Sequence, residues 1–434
     1  MKIKRISSLL LCLAILLSAS VFVTNAKAQL APTSSLNAYD QYLEKMMTTQ
    51  NIHGVAYATQ NGQLIAKHAN GIQNNKENIN ITTDTLFPIG SVSKQFCATS
   101  ILVLQEQGKL SANDTLSMYF PEYEIGKDIT IHQLLCMRSG IRDHVNPDKF
   151  YTGAEIPTDQ YTLATNVTYK ENQKAITDWL FTQELKFTPG EQFDYSNSNF
   201  LLLSMIVEQV SGKKYSEFLK ENILDPLKMT NTGSYDELYT HSDLAQPAVP
   251  EDYELTEPLY SGLNYGCGDL VSNGPDIDKW LTSLSKHTLM SEESYTAMTT
   301  NYGDNYGYGV YTDPKAGAIY HQGNILSYET FVITVPEKNI NIFVVTNDML
   351  TVHNNGYDLN QFAYDILNKV NTKTVLGDLD GDKQISILDA TAIQLHIAQI
   401  NILTTRQLKG GDTDGDGKVS VLDATEIQLH LACI

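Results

Sequence analysis

Near one end of this 434-residue chain a passage is written almost twice. GDLDGDKQISILDATAIQLHIA starts at Gly377, and GDTDGDGKVSVLDATEIQLHLA starts at Gly411. A close internal repeat is a strong constraint on folding. Each copy must form the same unit, and the units must bury their apolar sides together. Counting from Asp378 as first, Asp380, Asp382, Ser386 and Asp389 fall at the third, fifth, ninth and twelfth positions, with the Gln384 carbonyl at the seventh. Asp412, Asp414, Asp416, Lys418 through its carbonyl, Ser420 and Asp423 hold the same places in the second copy. Hard oxygen ligands at this spacing are what a calcium-binding loop requires. The sixth position turns tightly and calls for glycine. Gly417 supplies it and Lys383 does not, so the first loop is expected to be the weaker of two structural Ca2+ sites. An acidic surface turn is the plainer alternative, and the full spacing in both copies argues against it.

The opposite end, MKIKRISSLLLCLAILLSASVFVTNAKAQL, places Lys2, Lys4 and Arg5 before an apolar run from Leu9 to Val23 and then Ala26-Lys27-Ala28. This is the pattern of a secretory signal peptide over residues 1–28. The run is short for an anchor, and no later segment is long and apolar enough to span a bilayer. A secreted, extracellular protein is expected. Thirty Lys and Arg stand against 50 Asp and Glu, a net charge of −20, with no basic cluster. Such a surface repels phosphate backbones and anionic lipid, so nucleic acid is not expected as a partner. Cys97, Cys136, Cys267 and Cys433 match no zinc or redox spacing and read as buried free thiols.

Between these ends, Val55–Thr59 and Gln63–His68 flank Asn61-Gly62, a hairpin signal. Ser93–Gln107 and Ser198–Val210 have helical apolar spacing and end at glycine. A polar stretch with short helices runs from Ser111 to Glu184, and Gly266–Gly274 is a glycine-rich turn region. Ile319–Gln322, Tyr328–Val335 and Ile340–Thr346 read as strands, with a turn at Pro336–Asn339, and Tyr357–Val370 as a closing helix. Strands at both ends of a helical middle predict an α+β fold, with one antiparallel sheet built from both ends and helices beside it.

Three Ser-x-x-Lys pairs occur, at Ser91, Ser211 and Ser283. A serine hydroxyl needs a base to become a nucleophile, and a lysine one helical turn away shares its face. Burial can lower that lysine toward neutrality so that it accepts the proton. Ser91 and Lys94 begin a helix. Ser211 lies at a helix stop and Ser283 inside an ordinary amphipathic helix. Further on stand Tyr195-x-Asn197 before a helix and His321-Gln322-Gly323 on a strand. Lys315-Ala316-Gly317 follows Asp313-Pro314 and reads as a turn. Taken singly, these are a core tyrosine, a helix cap and a satisfied histidine.

In this order, Ser91-x-x-Lys94, Tyr195-x-Asn197 and His321-x-Gly323 resemble the serine β-lactamase and penicillin-binding family, in its class C and DD-peptidase branch. The surroundings agree: Phe87-Pro88-Ile89-Gly90, Ser139-Gly140, Phe187-Thr188-Pro189-Gly190 and Tyr306-Gly307-Tyr308-Gly309. Met137 stands where that family often has histidine. The resemblance covers residues 36–370. It implies an antiparallel sheet flanked by helices, plus a helical subdomain. Ser91 would be acylated, with Lys94 as its base. Tyr195 would relay protons and Asn197 would hold the substrate amide. The N–H groups of Ser91 and Asn324 would stabilise an oxyanion. His321 would assist the leaving group or meet a carboxylate, changing charge near neutral pH. The acyl substrate would be a D-alanyl-D-alanine peptide or an ester, with slow penicillin turnover. The alternative is an inactive scaffold that only binds.

Residues 377–434 resemble a type I dockerin, joined by a linker at 371–376. By that resemblance the module holds two calcium ions and docks into a cohesin of a scaffoldin, as in cellulosomes. Its partner-facing positions would be Ala390, Thr391 and Gln394, with Ala424, Thr425 and Gln428. Ile387-Leu388 and Val421-Leu422 replace the hydroxyl pair that some dockerins carry.

Overall fold

The computed structural model describes residues 38–74, 77–145, 167–238, 240–248, 261–371, 376–379, 385–403 and 405–432. The expected signal peptide, most of the expected linker, Asp380, Asp382, Gln384 and Cys433 lie outside these residues. The chain forms two compact units, one over Tyr42–Thr372 and one that includes Lys373–Ile434.

The larger unit is built on a six-stranded antiparallel sheet. Its strands are β1 (Gly54–Gln60), β2 (Gln63–Asn70), β8 (Tyr311–Asp313), β9 (Ala318–Ile325), β10 (Tyr328–Val335) and β11 (Ile340–Thr346), in the spatial order β2-β1-β11-β10-β9-β8. The short strands between them are β3 (Ile72–Asn74), β4 (Ile79–Asn80), β5 (Phe87–Pro88), β6 (Gly233–Ser234) and β7 (Leu270–Ser272). Strand β1 pairs with β11 from Gly54 opposite Thr346 to Gln60 opposite Ile340, so the two ends of the unit meet at the centre of the sheet. Strands β10 and β11 are buried along their whole length. That explains why Val, Ile and Phe are frequent in both without a regular polar alternation. Successive side chains point to opposite faces. Val55, Val332, Phe343 and Val345 enter the main core. Phe331 meets Tyr364 of the helix Leu359–Asn371.

The helix Ser93–Glu106 is buried nearly all round, including Ser93, Lys94, Gln95, Thr99 and Ser100. A helix buried on every side needs no single apolar stripe, which accounts for the mixed spacing of its apolar residues. It packs on the helix Asn197–Ser211, whose Phe200, Leu201, Leu203 and Ile206 are fully buried. Phe96 stacks on Trp280 at 4.0 Å, and the Trp280 indole donates to Gln95 Oε1 at 2.7 Å. Each such side chain contributes on the order of 1.5–3 kcal/mol by leaving water. This packing holds the first turn of the helix in place. Cys97, Cys136 and Cys267 are buried free thiols, as expected.

In the smaller unit the helices Ile387–Ile397 and Val421–Ala432 pack together. Ala390, Ile393, Ala424 and Ile427 supply equivalent positions of the two repeats to one small core, with Leu379 and Leu403.

Candidate active site

Strand β5 pairs with β7 and delivers the chain into a tight 3-10 turn, Gly90–Val92, directly before the helix Ser93–Glu106. Ser91 and Lys94 therefore share a face one turn apart. Lys94 is completely buried. Its Nζ donates to Ser91 Oγ at 3.0 Å, Asn197 Oδ1 at 2.7 Å and the Cys267 carbonyl at 2.7 Å. Three acceptors match the three N–H groups of an ammonium. The same Nζ lies 4.8 Å from the Tyr195 ring centroid. Burial lowers Lys94 from its ordinary 10.5 to about 8, against the opposing pull of nearby Cys267, Asp143, Cys97 and Asp269.

The other two Ser-x-x-Lys pairs have no such setting. Ser211 ends its helix before a left-handed Gly212, and Lys213 beside it pairs with Glu221. Ser283 is buried within the helix Gly274–Ser285 and accepts a hydrogen bond from Thr288. Lys315-Ala316-Gly317 is the turn between β8 and β9.

Asn197 opens its helix and faces two charged groups. Its Oδ1 accepts from Lys94, and its Nδ2 donates to Asp143 Oδ2 at 3.0 Å. Asp143 Oδ1 also accepts the backbone N–H groups of Asn197 at 3.1 Å and Val145 at 3.0 Å. Met137 braces this corner. It is buried at φ +59°. Its sulfur accepts from the Ser196 N–H, and its carbonyl accepts from the Asp194 N–H. The residue that departs from the family pattern is thus a packing and anchoring element for the Tyr195 loop.

Glycines set the close approaches. A Cβ on Gly323 would stand 2.0 Å from the Ile89 carbonyl oxygen and 3.0 Å from Ser91 N. Gly90, at φ +51°, has Asn324 N at 2.9 Å from where its own Cβ would be. The Ser91 turn therefore lies flat on strand β9 at Gly323–Asn324. Further back, Gly309 packs on the Lys94 carbonyl and Gly140 on the Phe187 carbonyl, which explains why the Tyr-Gly-Tyr-Gly and Ser-Gly segments flank this site.

These elements surround a cavity of about 370 Å3. Ser91, Tyr195, Asn197, Cys267 and Asn324 line it, with Val145, Ile325, Leu326 and Met349 as an apolar wall. No lysine or arginine lines it among the described residues. His321 also lines it, yet is 1% exposed. Its Nδ1 donates to the Gln322 carbonyl at 2.6 Å, and its Nε2 faces the Tyr306 hydroxyl at 3.4 Å. Burial, with Lys94 adding to it, pushes His321 down to about 3. Burial thus works against the expectation that His321 changes charge near neutral pH.

The structure brings Ser91, Lys94, Tyr195, Asn197, His321, Gly323 and Asn324 together around this cavity. Sequence reading missed Asp143 and the Cys267 carbonyl. Asp143 follows the Ser139-Gly140 segment closely, and that proximity was the available signal. A backbone acceptor such as the Cys267 carbonyl leaves none.

In the smaller unit, carboxylate oxygens of Asp412, Asp414 and Asp416 lie within 4.8 Å of one another. Asp412 Oδ1 is buried without a hydrogen-bond partner. Burial and the neighbouring carboxylates raise Asp412. An orphaned oxygen among crowded like charges fits a hard divalent cation. Asp423 closes the loop from beneath, accepting the N–H groups of Thr413 at 2.6 Å and Ser420 at 2.6 Å. Asp389 does the same for Leu379 and Ser386 in the first copy. Ser386 and Ser420 each accept an N–H from the start of the following helix. Asp378 is buried, and Lys418 N donates to Asp416 Oδ1. Ala390 and Ala424 are buried in the module core. They cannot face a partner, which corrects that part of the expected surface. Ile387, Leu388, Val421 and Leu422 are instead 56–65% exposed.

Comparison with known proteins agrees with both units. A family model described as Beta-lactamase matches residues 39–362, and one described as Dockerin type I domain matches residues 376–432. PbpX of Bacillus subtilis (strain 168), named for penicillin binding, is 31% identical over 281 residues, covering 63% of this chain and 66% of its own. Protein flp of Staphylococcus aureus is 25% identical over 328 residues, covering 71% and 62%. The chain thus spans less than two thirds of the length of these relatives. Among solved structures, the octameric penicillin-binding protein homologue from Pyrococcus abyssi superposes with a TM-score of 0.65 at 24% identity, covering 82% of this chain and 80% of that one. The D-amino acid amidase from Ochrobactrum anthropi SV3 gives 0.61 at 22% identity, covering 77% and 97%. The chain belongs to the beta-lactamase family, and it carries a dockerin type I domain after that region.

Proposed function

We propose that this protein is a secreted serine hydrolase that works through an acyl-enzyme on Ser91, on an ester or a D-alanyl-D-alanine-like amide, while docked to a scaffold. The observation that carries this reading is the buried Lys94 ammonium at 3.0 Å from Ser91 Oγ, held by two further acceptors and brought down to about 8. A lysine of that kind has a substantial neutral fraction in mildly alkaline solution and serves as a base.

In the acylation step neutral Lys94 accepts the Ser91 hydroxyl proton as Oγ attacks the substrate carbonyl carbon. The carbonyl electron pair moves onto its oxygen. That oxygen is met by the Ser91 and Asn324 N–H groups, which the missing Cβ atoms of Gly90 and Gly323 bring to one rim. The tetrahedral intermediate collapses. The leaving alcohol or amine departs with the proton, passed from Lys94 by way of the Tyr195 phenol. Water then repeats the sequence in reverse and frees the acid. Asn197 orients Lys94 and the substrate. His321 is neutral and supports Tyr306 and the strand rather than a substrate charge.

An uncharged substrate is the reading supported by the described lining, on which no lysine or arginine stands. Dockerin type I domains bind calcium, and Asp412, Asp414, Asp416 and Asp423, with their counterparts from Asp378 to Asp389, would hold the ions. Calcium there would neutralise the loop carboxylates and order the module. The exposed Ile387-Leu388 and Val421-Leu422 pairs suit an apolar seat on a cohesin. The test is incubation with a p-nitrophenyl ester and a fluorescent penicillin, followed by intact-mass measurement. A covalent adduct on wild type and none on Ser91→Ala supports the reading. Equal labelling of both overturns it.

A further inference from the structure

An asparagine amide can flip end for end with little steric cost, because its oxygen and nitrogen are nearly the same size. At Asn197 the orientation is decided by neighbours. The Lys94 ammonium can only donate, and the Asp143 carboxylate can only accept. One orientation satisfies both, with Oδ1 on Lys94 Nζ at 2.7 Å and Nδ2 on Asp143 Oδ2 at 3.0 Å. Asp143 also fixes the start of the Asn197 helix through the backbone N–H at 3.1 Å. We propose that Asp143 is a positioning residue that locks the Asn197 amide so that Lys94 is aimed at Ser91, and that its negative charge acts on the Lys94 ammonium across that amide. This rests on the reading of Ser91 and Lys94 as nucleophile and base.

The other groups around the pair leave Asp143 with a distinct role. Lys94 is also faced by Cys267, Cys97, Asp269, Tyr195 and His321. Burial pushes Cys267 up to about 12 and Cys97 well above its ordinary value, so both thiols stay neutral. Burial raises Asp269 to about 7, so it too is ionised where Lys94 works, but its Oδ1 accepts from the Gly266 N–H, whereas Asp143 is the carboxylate on the Asn197 amide. His144 lies 4.0 Å from Asp143 Oδ1, but burial holds it down at about 4, so it brings no positive charge. Burial raises Asp143 itself to about 6, leaving it ionised where Lys94 works.

Asp143→Asn keeps the shape, removes the charge and turns one acceptor into a donor that opposes the N–H groups of Asn197. The experiment is kcat/KM for p-nitrophenyl acetate against pH, on the full chain, for wild type, Ser91→Ala, Asp143→Asn and Asp143→Ser, with a urea unfolding midpoint for each. The expected result for Asp143→Asn is a loss of about 10- to 100-fold, below the roughly 10^2- to 10^4-fold that a positioned general base supplies. Its acidic limb should move to lower pH, because an ammonium without its negative neighbour gives up its proton more easily. Asp143→Ser loses the charge without adding the opposing donor and should shift the limb the same way. It stands in if the asparagine variant does not fold. A limb that stays in place in both variants, whatever the loss of rate, overturns the proposal and leaves Asp143 a structural cap. Turnover retained by Ser91→Ala overturns instead the reading on which it rests.

Discussion

Gly323 and Ile89 approach so closely that no side chain fits between them: a Cβ at position 323 would lie 2.0 Å from the Ile89 carbonyl oxygen. This contact seats the Ser91 turn on strand β9, and the geometry of the proposed oxyanion site depends on it. Gly323→Ala is expected to push the turn and the strand apart by a fraction of an ångström or more. Overpacking of this kind typically costs about 1–3 kcal/mol of stability. The loss in ester kcat/KM should be larger than the stability change suggests, roughly 100-fold or more, because removing one oxyanion donor alone costs that much. Steady-state kinetics beside thermal unfolding checks this. A variant that is destabilised yet hydrolyses at the wild-type rate would show that the contact serves packing only.

The pH dependence should belong to Lys94 and not to His321. The base must be neutral to act, so kcat/KM for an ester is expected to rise with pH and level off above about 8, where burial places Lys94. His321, pushed down to about 3 by burial, has no charge to lose between pH 5 and 9. His321→Gln should therefore leave the midpoint of the rise in place while lowering the rate through its lost packing near Tyr306. A midpoint near 6.5 that disappears in His321→Gln would contradict this assignment.

The sheet was legible because β10 and β11 carry uninterrupted buried patterns, Tyr328–Val335 and Ile340–Thr346, that the structure reproduces residue for residue. The grouping of Ser91, Lys94, Tyr195 and Asn197 was legible because they follow a known order. His321 was misjudged for a physical reason. Sequence gives the residue type but not its burial, and burial beside the Lys94 cation pushes this ring's pKa down. Asp143 reaches Asn197 across 54 positions of chain, a contact that no local pattern encodes. Gly266–Gly274 read as turns, yet it contains the strand β7 that pairs with β5 ahead of Ser91. Three paired residues are too short a run to show a period. Ala390 and Ala424 were placed on a docking face by analogy, and the small core of the module claims them instead.

Calcium is expected to order the smaller unit without entering the hydrolysis. The unpartnered Asp412 Oδ1 and the neighbouring Asp414 and Asp416 carboxylates repel one another without a cation. Adding Ca2+ to the chelated protein should raise the unfolding temperature of the region 376–432 and promote cohesin binding. Asp412→Asn should weaken the second loop about 10-fold or more. Lys383→Gly, which restores the usual turn residue, should strengthen the first. Isothermal titration and differential scanning calorimetry measure these effects. Ester turnover should be the same with calcium and with chelator. A loss of turnover on chelation would mean that the loops support the hydrolase region as well.

The expected substrate preference follows from charge. Among the described residues the cavity has Asp143 and no lysine or arginine on its lining. Behind its wall the buried Glu329 accepts from Gln322 Nε2 at 2.8 Å and faces His353 Nε2 at 3.1 Å. Lys94 is engaged by three acceptors and has no donor left for a ligand. Among the described residues a carboxylate brought into this space would give up water without gaining a cation, which is unfavourable. A neutral ester or amide faces no such cost. The expected order of kcat/KM is therefore a p-nitrophenyl ester first, a D-alanyl-D-alanine amide with a blocked C-terminus next, and the same peptide with a free carboxylate or a penicillin last, at least about 10-fold behind. Replacing an apolar wall residue by a cation of similar length, Met349→Lys, should narrow that gap by favouring the carboxylate substrates selectively. Equal turnover of blocked and free peptides by the wild type, with no effect of Met349→Lys on their ratio, would show that the carboxylate binds outside this cavity.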